Sequence, residues 1–119
     1  MPKNALVQPH EFNVATILSW TGNDVDFIPA TNNRHTPDIK YVGLEWEIKS
    51  PLGSSSRTLE NNMRLALKQS TNIIIDLQRL GLPDEKSVGV VKRRAEKLGK
   101  KCRIMIITKT KKIIKFYDK

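Results

Sequence analysis

Cysteine is nearly missing from this 119-residue chain, in which Cys102 stands alone. A single thiol forms no intrachain disulfide and excludes zinc sites built from cysteine pairs, so a reducing cytosol is the expected place of action. Aromatic residues are sparse, at 6%, and no apolar run approaches the ~18 residues that a membrane-spanning helix needs. The first residues, MPKNALVQPHEF, lack the apolar core of a signal peptide. Acidic residues are scarce in one region only. From Lys92 to Lys119 two acids, Glu96 and Asp118, stand against twelve Lys or Arg, whereas the first 91 residues hold ten acids and nine basic residues.

What is present fits one globular domain spanning residues 1–119, with 39% hydrophobic residues, 28% charged residues and a formal net charge of +9. A pI near 9.9, concentrated in the last quarter, suits a protein that grips a polyanion with one part and handles it with another. Nucleic acid is the expected partner.

Periodicity divides the chain into alternating helices and strands. PHEFNVATILSW, residues 9–20, reads as a helix with Pro9 in its first turn, ended by Thr21-Gly22-Asn23-Asp24. Val25 to Ala30 reads as a short strand before the loop TNNRHTP, and Ile39–Val42 and Leu44–Ser50 read as two strands by alternation. Between Ser54 and Thr71, Leu59, Met63, Ala66, Leu67 and Ser70 recur on one face of a helix, with Arg57, Asn61, Arg64 and Lys68 on the others. Asn72 to Leu77 is the continuous apolar run of a strand covered on both sides. Gly81-Leu-Pro-Asp84 precedes a third helix, with Val88, Val91, Ala95 and Leu98 inward and Lys92, Arg93 and Lys97 outward, ended by Gly99. Arg103–Thr108 and Lys112–Tyr117 read as two further strands. The order α-β-β-β-α-β-α-β-β predicts a mixed α/β (α+β) domain with helices covering a central sheet.

The sharpest site inference comes from the hairpin around Val42-Gly43, where glycine supplies the positive φ that a two-residue turn requires. Counting outward pairs Tyr41 with Leu44, Lys40 with Glu45, Ile39 with Trp46 and Asp38 with Glu47. Ile39, Tyr41, Leu44 and Trp46 then share an apolar face, and Asp38, Lys40, Glu45 and Glu47 share the other. Glu45 finds a cation in Lys40. Glu47 faces Asp38 with Cβ atoms ~4.5–5.5 Å apart, an unfavourable arrangement for like charges, which a divalent cation between them relieves. Mg²⁺ or Mn²⁺ prefers carboxylate oxygen, the Ile48 carbonyl adds a ligand, and Zn²⁺ is the alternative ion. Lys49 lies on the same face, within reach of a water or a phosphoryl oxygen held there, which makes a coherent hydrolytic site. Acid pairs on exposed hairpins are also ordinary, and spacing alone leaves both readings open.

Pro37-Asp38, eight intervening residues, then Glu47-Ile48-Lys49 resembles the motif of the PD-(D/E)XK nucleases. Their core order, a helix carrying an acid, a hairpin bearing the motif, an amphipathic helix and a buried strand, matches as well. GLEWEIKSPLGSSSRTLENNMRLALKQSTNIIIDL resembles the C-terminal toxin domains of bacterial contact-dependent growth inhibition (CdiA) proteins, specifically the group that cleaves tRNA. That resemblance runs from about Asp38 to Leu77 and continues as a matching pattern of elements. It implies a metal-dependent tRNA-cleaving toxin in which Asp38, Glu47 and Lys49 are catalytic and Glu11 is an additional acid holding the metal with Asp38 and Glu47. It also implies a small acidic immunity protein as partner and the cytosol of a target cell as the place of action. The chain begins at Met1 without the large delivery region of such toxins, as a free-standing reading frame or an excised domain would.

Arg57, Lys68, Lys92 and Arg93 are the candidate substrate-binding cations. A DNA endonuclease of a mobile element using the same site, and a basic nucleic-acid-binding module without catalysis, are the alternative functions. His10 and His35 would be needed for a metal-independent ribonuclease, but nothing pairs them. Gly53-Ser54-Ser55-Ser56-Arg57 suits either phosphate binding by backbone N–H groups or simple capping by serine. Trp20 and Trp46, with apolar neighbours at core spacing, are expected in the core.

Overall fold

The computed structural model describes residues 9–28, 38–98 and 102–117. Its elements run α1 (Pro9–Ser19), β1 (Val25–Phe27), β2 (Ile39–Tyr41), β3 (Leu44–Lys49), α2 (Ser56–Gln69), β4 (Asn72–Asp76), α3 (Asp84–Leu98), β5 (Arg103–Ile107) and β6 (Ile113–Tyr117). All nine expected elements are present in the expected order. The loop with His35 and Pro37, and the helix stop at Gly99, lie outside the described residues, as does the side chain of Leu98.

The six strands form one sheet in the order β1-β2-β3-β4-β5-β6. β3, β4 and β5 run parallel, while β1 and β2 at one side and β6 at the other join antiparallel. Parallel neighbours need crossovers, which α2 and α3 supply. Both helices lie on one face. Leu59, Met63, Ala66 and Leu67 of α2 and Val90, Val91 and Ala95 of α3 pack there with Ile73, Ile75, Ile104 and Ile106. α1 covers the other face, where Val14, Ile17 and Leu18 meet Ile39, Tyr41, Trp46, Ile48, Ile74, Met105 and Ile107. The alternation of isoleucines between the two clusters explains why 72–77 reads as an unbroken apolar run: each face of β4 has its own cover.

The hairpin has the counted register, with Ile39 opposite Trp46, Lys40 opposite Glu45 and Tyr41 opposite Leu44. Val42 (φ 49°) and Gly43 (φ 77°) both adopt positive φ, the signature of a type I′ turn, whose twist matches the strands it joins. Trp46 is fully buried, and its indole N–H donates to the Tyr41 carbonyl at 3.0 Å, so the largest side chain of the core also ties the hairpin together.

Two expectations need correction. Trp20 is 64% exposed, because α1 ends at Ser19 and the turn that follows carries the ring off the helix's buried stripe; the Lys111 ammonium lies over it at 5.9 Å. The second helix begins at Ser56, two residues later than expected, because Ser55 is extended and caps it, accepting the Thr58 N–H at 3.2 Å. This is the capping reading of the serine run.

Candidate active site

β2 ends its pairing with β3 just where the motif begins. The last backbone bond runs from the Asp38 N–H to the Trp46 carbonyl at 2.9 Å. Beyond it the Asp38 carboxylate takes over, accepting the Ile48 N–H at 2.7 Å. A strand residue's N–H and C=O point to the same edge of its strand, so the Ile48 carbonyl opens on the edge of β3 that Asp38 occupies. Asp38 is thus anchored at the notch where one strand leaves and the next continues.

Glu47 does not lie on a solvated face. It is 3% exposed, because alternation turns it away from Trp46 and Ile48 toward the layer of α2, beside its β4 neighbour Ile73. The Lys49 ammonium stands 3.4 Å from its carboxylate, with 23% of the lysine side chain exposed against 5% of the glutamate's. A charge this deep requires compensation, and a lysine two residues along the same strand face is placed to give it.

Glu47 and Lys49 therefore meet at the carboxyl end of β3, and Asp38 is bonded to the backbone of Ile48 between them. In sheets with parallel strands that end is where ligands bind. Arg57 is exposed in the first turn of α2, which starts from the same end of the sheet. Lys68, in the last turn, borders a hollow with Gly43, Leu44 and Glu45 at the opposite end. Eleven residues of helix put roughly 16 Å between the two. Lys92 and Arg93 are exposed on α3, and the Arg94 guanidinium bridges from α3 to Glu60 of α2 at 3.7 Å.

Glu11 is half-buried in the first turn of α1. That turn lies over the carboxyl end of β4, since His10 and Asn13 border a pocket with Asp76, Gln78 and Arg79. Among the described residues no three of His, Cys, Asp or Glu stand close enough together to hold a metal ion. α1, which carries Glu11, covers the face of the sheet opposite to the one Glu47 is turned toward. Two carboxylates with a backbone carbonyl fit Mg²⁺ or Mn²⁺, which retain several waters and bind through one or two carboxylates plus substrate. His10 has no second histidine among the described residues.

Asp76 was hidden in the apolar run. It is 1% exposed at the end of β4, one residue past Ile75, the β-ladder partner of Lys49. Its carboxylate accepts the Ser50 hydroxyl at 3.0 Å and both the backbone and side-chain N–H of Gln78 at 3.0 Å. The Arg79 guanidinium donates to the Ser50 carbonyl at 2.7 Å. An acid closing an otherwise aliphatic parallel strand is the signal that could have found it.

A family model for the contact-dependent growth inhibition CdiA C-terminal domain matches residues 34–113. Among curated proteins none matches. A solved structure described as a CdiA-CT/CdiI toxin and immunity complex from Burkholderia pseudomallei superposes with a TM-score of 0.73 at 16% identity, covering 99% of this chain and 98% of that one. At that identity the likeness is one of fold. No helix among the described residues is long and apolar enough to cross a membrane.

Proposed function

The chain belongs to the CdiA C-terminal domain family of contact-dependent growth inhibition, and from that premise we propose that it is a toxin acting as a metal-dependent nuclease of the PD-(D/E)XK kind, with tRNA as substrate. The observation that carries this reading is the placement of a 3%-exposed Glu47, its Lys49 partner at 3.4 Å and the anchored Asp38 carboxylate at the carboxyl end of β3.

Asp38 and Glu47, with the Ile48 carbonyl, would hold Mg²⁺ or Mn²⁺. When bound, such an ion supplies Lewis acidity toward a phosphoryl oxygen and acidifies a water. The protein's own contribution is positional. The Ile48 N–H fixes one carboxylate, α2 keeps bulk water from the other, and the Lys49 ammonium is set to orient a nucleophilic water or meet charge developing on phosphorus. Arg57 and the basic last quarter supply the phosphate contacts that give affinity without sequence preference. The same excess of cations suits a small acidic immunity protein as the partner that blocks the site, and membership of the toxin family makes the cytosol of a target cell the place of action.

The test is incubation of the purified protein with total tRNA, other RNA and plasmid DNA, in Mg²⁺, Mn²⁺ or EDTA. Wild type is expected to cut tRNA only with metal, and Glu47→Gln and Lys49→Ala to lose at least about 100-fold in rate. Glu11→Gln should lose less than Glu47→Gln, since Glu11 is half-buried on α1 whereas Glu47 is buried beside Lys49. Cleavage that survives EDTA and both motif substitutions refutes the mechanism, cleavage of plasmid alone moves the substrate to DNA, and binding without cleavage reduces the protein to a binding module.

A further inference from the structure

We propose that Asp76 is a positioning residue for Lys49, holding the carboxyl end of β3 from the opposite face of the sheet through Ser50. The inference deepens the nuclease reading and rests on it for what Lys49 does to a substrate.

Lys49 is the last residue of β3, and strand ends fray unless something holds them. On the β2 side the backbone pairing of β3 stops at Trp46 among the described residues. On the β4 side the ladder ends at Lys49 itself, opposite Ile75, and Pro51 has no N–H with which to extend it. Side chains take over at that point. The Ser50 hydroxyl donates to one oxygen of the Asp76 carboxylate at 3.0 Å, and the Ser50 carbonyl accepts from the Arg79 guanidinium at 2.7 Å. Asp76 is itself fixed, because its other oxygen accepts the backbone and side-chain N–H groups of Gln78, each at 3.0 Å. Successive strand residues point to opposite faces, so Ile75 and Lys49 lie on the side of α2 and α3, while Asp76 and Ser50 lie on the side of α1. The tie therefore grips the residue next to Lys49 without occupying the face on which Lys49 meets Glu47.

Stability alone does not account for an acid at this place. Asp76 is 1% exposed, and its neighbours Ile73, Ile74, Ile75 and Leu77 are fully buried aliphatics. A carboxylate there gives up its hydration, and a well-packed apolar side chain in such surroundings is often at least as stabilising. What the acid supplies is a pair of fixed acceptors, one for Ser50 and one for the loop that follows β4. The Lys49 ammonium reaches the Glu47 carboxylate at 3.4 Å on a stem with four carbons and many rotamers. An end of β3 that wanders moves that ammonium relative to the buried carboxylate, and misplacing a reacting group by about 1 Å is enough to lower a rate on the order of 100-fold. Residues that orient a site from behind in this way are worth about 10- to 100-fold in activity.

Asparagine at position 76 separates placement from charge. With its amide oxygen kept on Gln78, its NH₂ faces Ser50, whose hydroxyl then accepts instead of donating. Asp76→Asn should therefore keep kcat on tRNA within about threefold of wild type, whereas Asp76→Ala and Ser50→Ala should lower it about 10- to 100-fold with KM changed by less than about twofold. Ser50→Ala removes one hydroxyl from a half-buried residue and carries the test if Asp76→Ala fails to fold. A second readout needs no catalysis. The coupling between Glu47 and Lys49, read by a double-mutant cycle of Glu47→Gln and Lys49→Met in thermal unfolding, should fall to about half or less in the Ser50→Ala background. Asp76→Asn as impaired as Asp76→Ala, an undiminished coupling in Ser50→Ala, or a wild-type kcat there, overturns the proposal. A wild type that cuts no RNA, together with a coupling that falls in Ser50→Ala, refutes the nuclease reading and keeps the positioning.

Discussion

Replacing Lys49 with methionine isolates what the lysine does for the fold from what it does for chemistry. Methionine keeps an unbranched apolar stem of similar length and removes only the ammonium 3.4 Å from the Glu47 carboxylate. Breaking a fully buried pair by deleting one partner costs ~3–5 kcal/mol. Here 23% of the lysine side chain meets solvent, which lowers the expected loss to about 2 kcal/mol. For 119 residues the entropy of unfolding is about 0.25 kcal/mol/K, so Tm should fall by about 8 °C. The loss should depend on the partner. In Glu47→Gln/Lys49→Met the carboxylate charge leaves with the ammonium, and most of the lost stability should return, giving a coupling energy that a double-mutant cycle reads directly. Mg²⁺ provides a further measurement: with the competing ammonium gone, 10 mM Mg²⁺ should raise the variant's Tm more than the wild type's, because an ion that binds the folded state alone stabilises it. Calorimetry or thermal circular dichroism with and without EDTA suffices. A single variant as stable as wild type, or a double variant no more stable than Lys49→Met, would refute the argument that Lys49 compensates a buried Glu47.

Val42→Asn should raise stability by about 1 kcal/mol and Tm by about 4 °C in the same melt, since Val42 is a β-branched residue at φ 49°, is 49% exposed and precedes a glycine, where a type I′ turn favours asparagine. Lys109→Met should lower urea-unfolding stability by about 1–2 kcal/mol and speed amide exchange over residues 77–83, because the ammonium donates to the carbonyls of Leu77 and Leu80. Trp20→Ala should change stability by less than about 1 kcal/mol in urea, whereas Trp46→Ala should lose about 3–5 kcal/mol or fail to fold.

The parts of this fold that were legible in the sequence are those governed by local periodicity. Most strands and helices announced themselves because their buried residues recur at two or at three to four, β4 by its unbroken apolar run, and the hairpin register followed from one glycine. Asp38, Glu47 and Lys49 could be set near one another by counting alone. What counting could not supply was the depth of the site. Whether the Glu47 face met water depended on α2 lying across it, and α2's apolar stripe of Leu59, Met63, Ala66 and Leu67 does not say which strand residues it will cover. Trp20 was misjudged for a related reason, since one residue past a helix end the 3.6-residue period no longer governs direction. The Asp38 bond to Ile48 joins residues ten apart through a side chain standing in for a strand, and no pattern rule anticipates it. Asp76 was visible but was absorbed into an aliphatic run, where its neighbours' hydrophobicity masked its role.

The sheet is laid down in chain order, each strand beside its predecessor. No strand must wait for a later segment to be inserted between two already placed, and each closure spans only a hairpin or one crossover helix. The parallel crossovers still give the fold a contact order between those of helical bundles and all-β sandwiches, and stopped-flow refolding at a rate between those two classes is the expected signature. The growing edge is also singular. A chain released end first could extend the sheet strand by strand as each segment emerges, so the order of emergence and the order of assembly coincide.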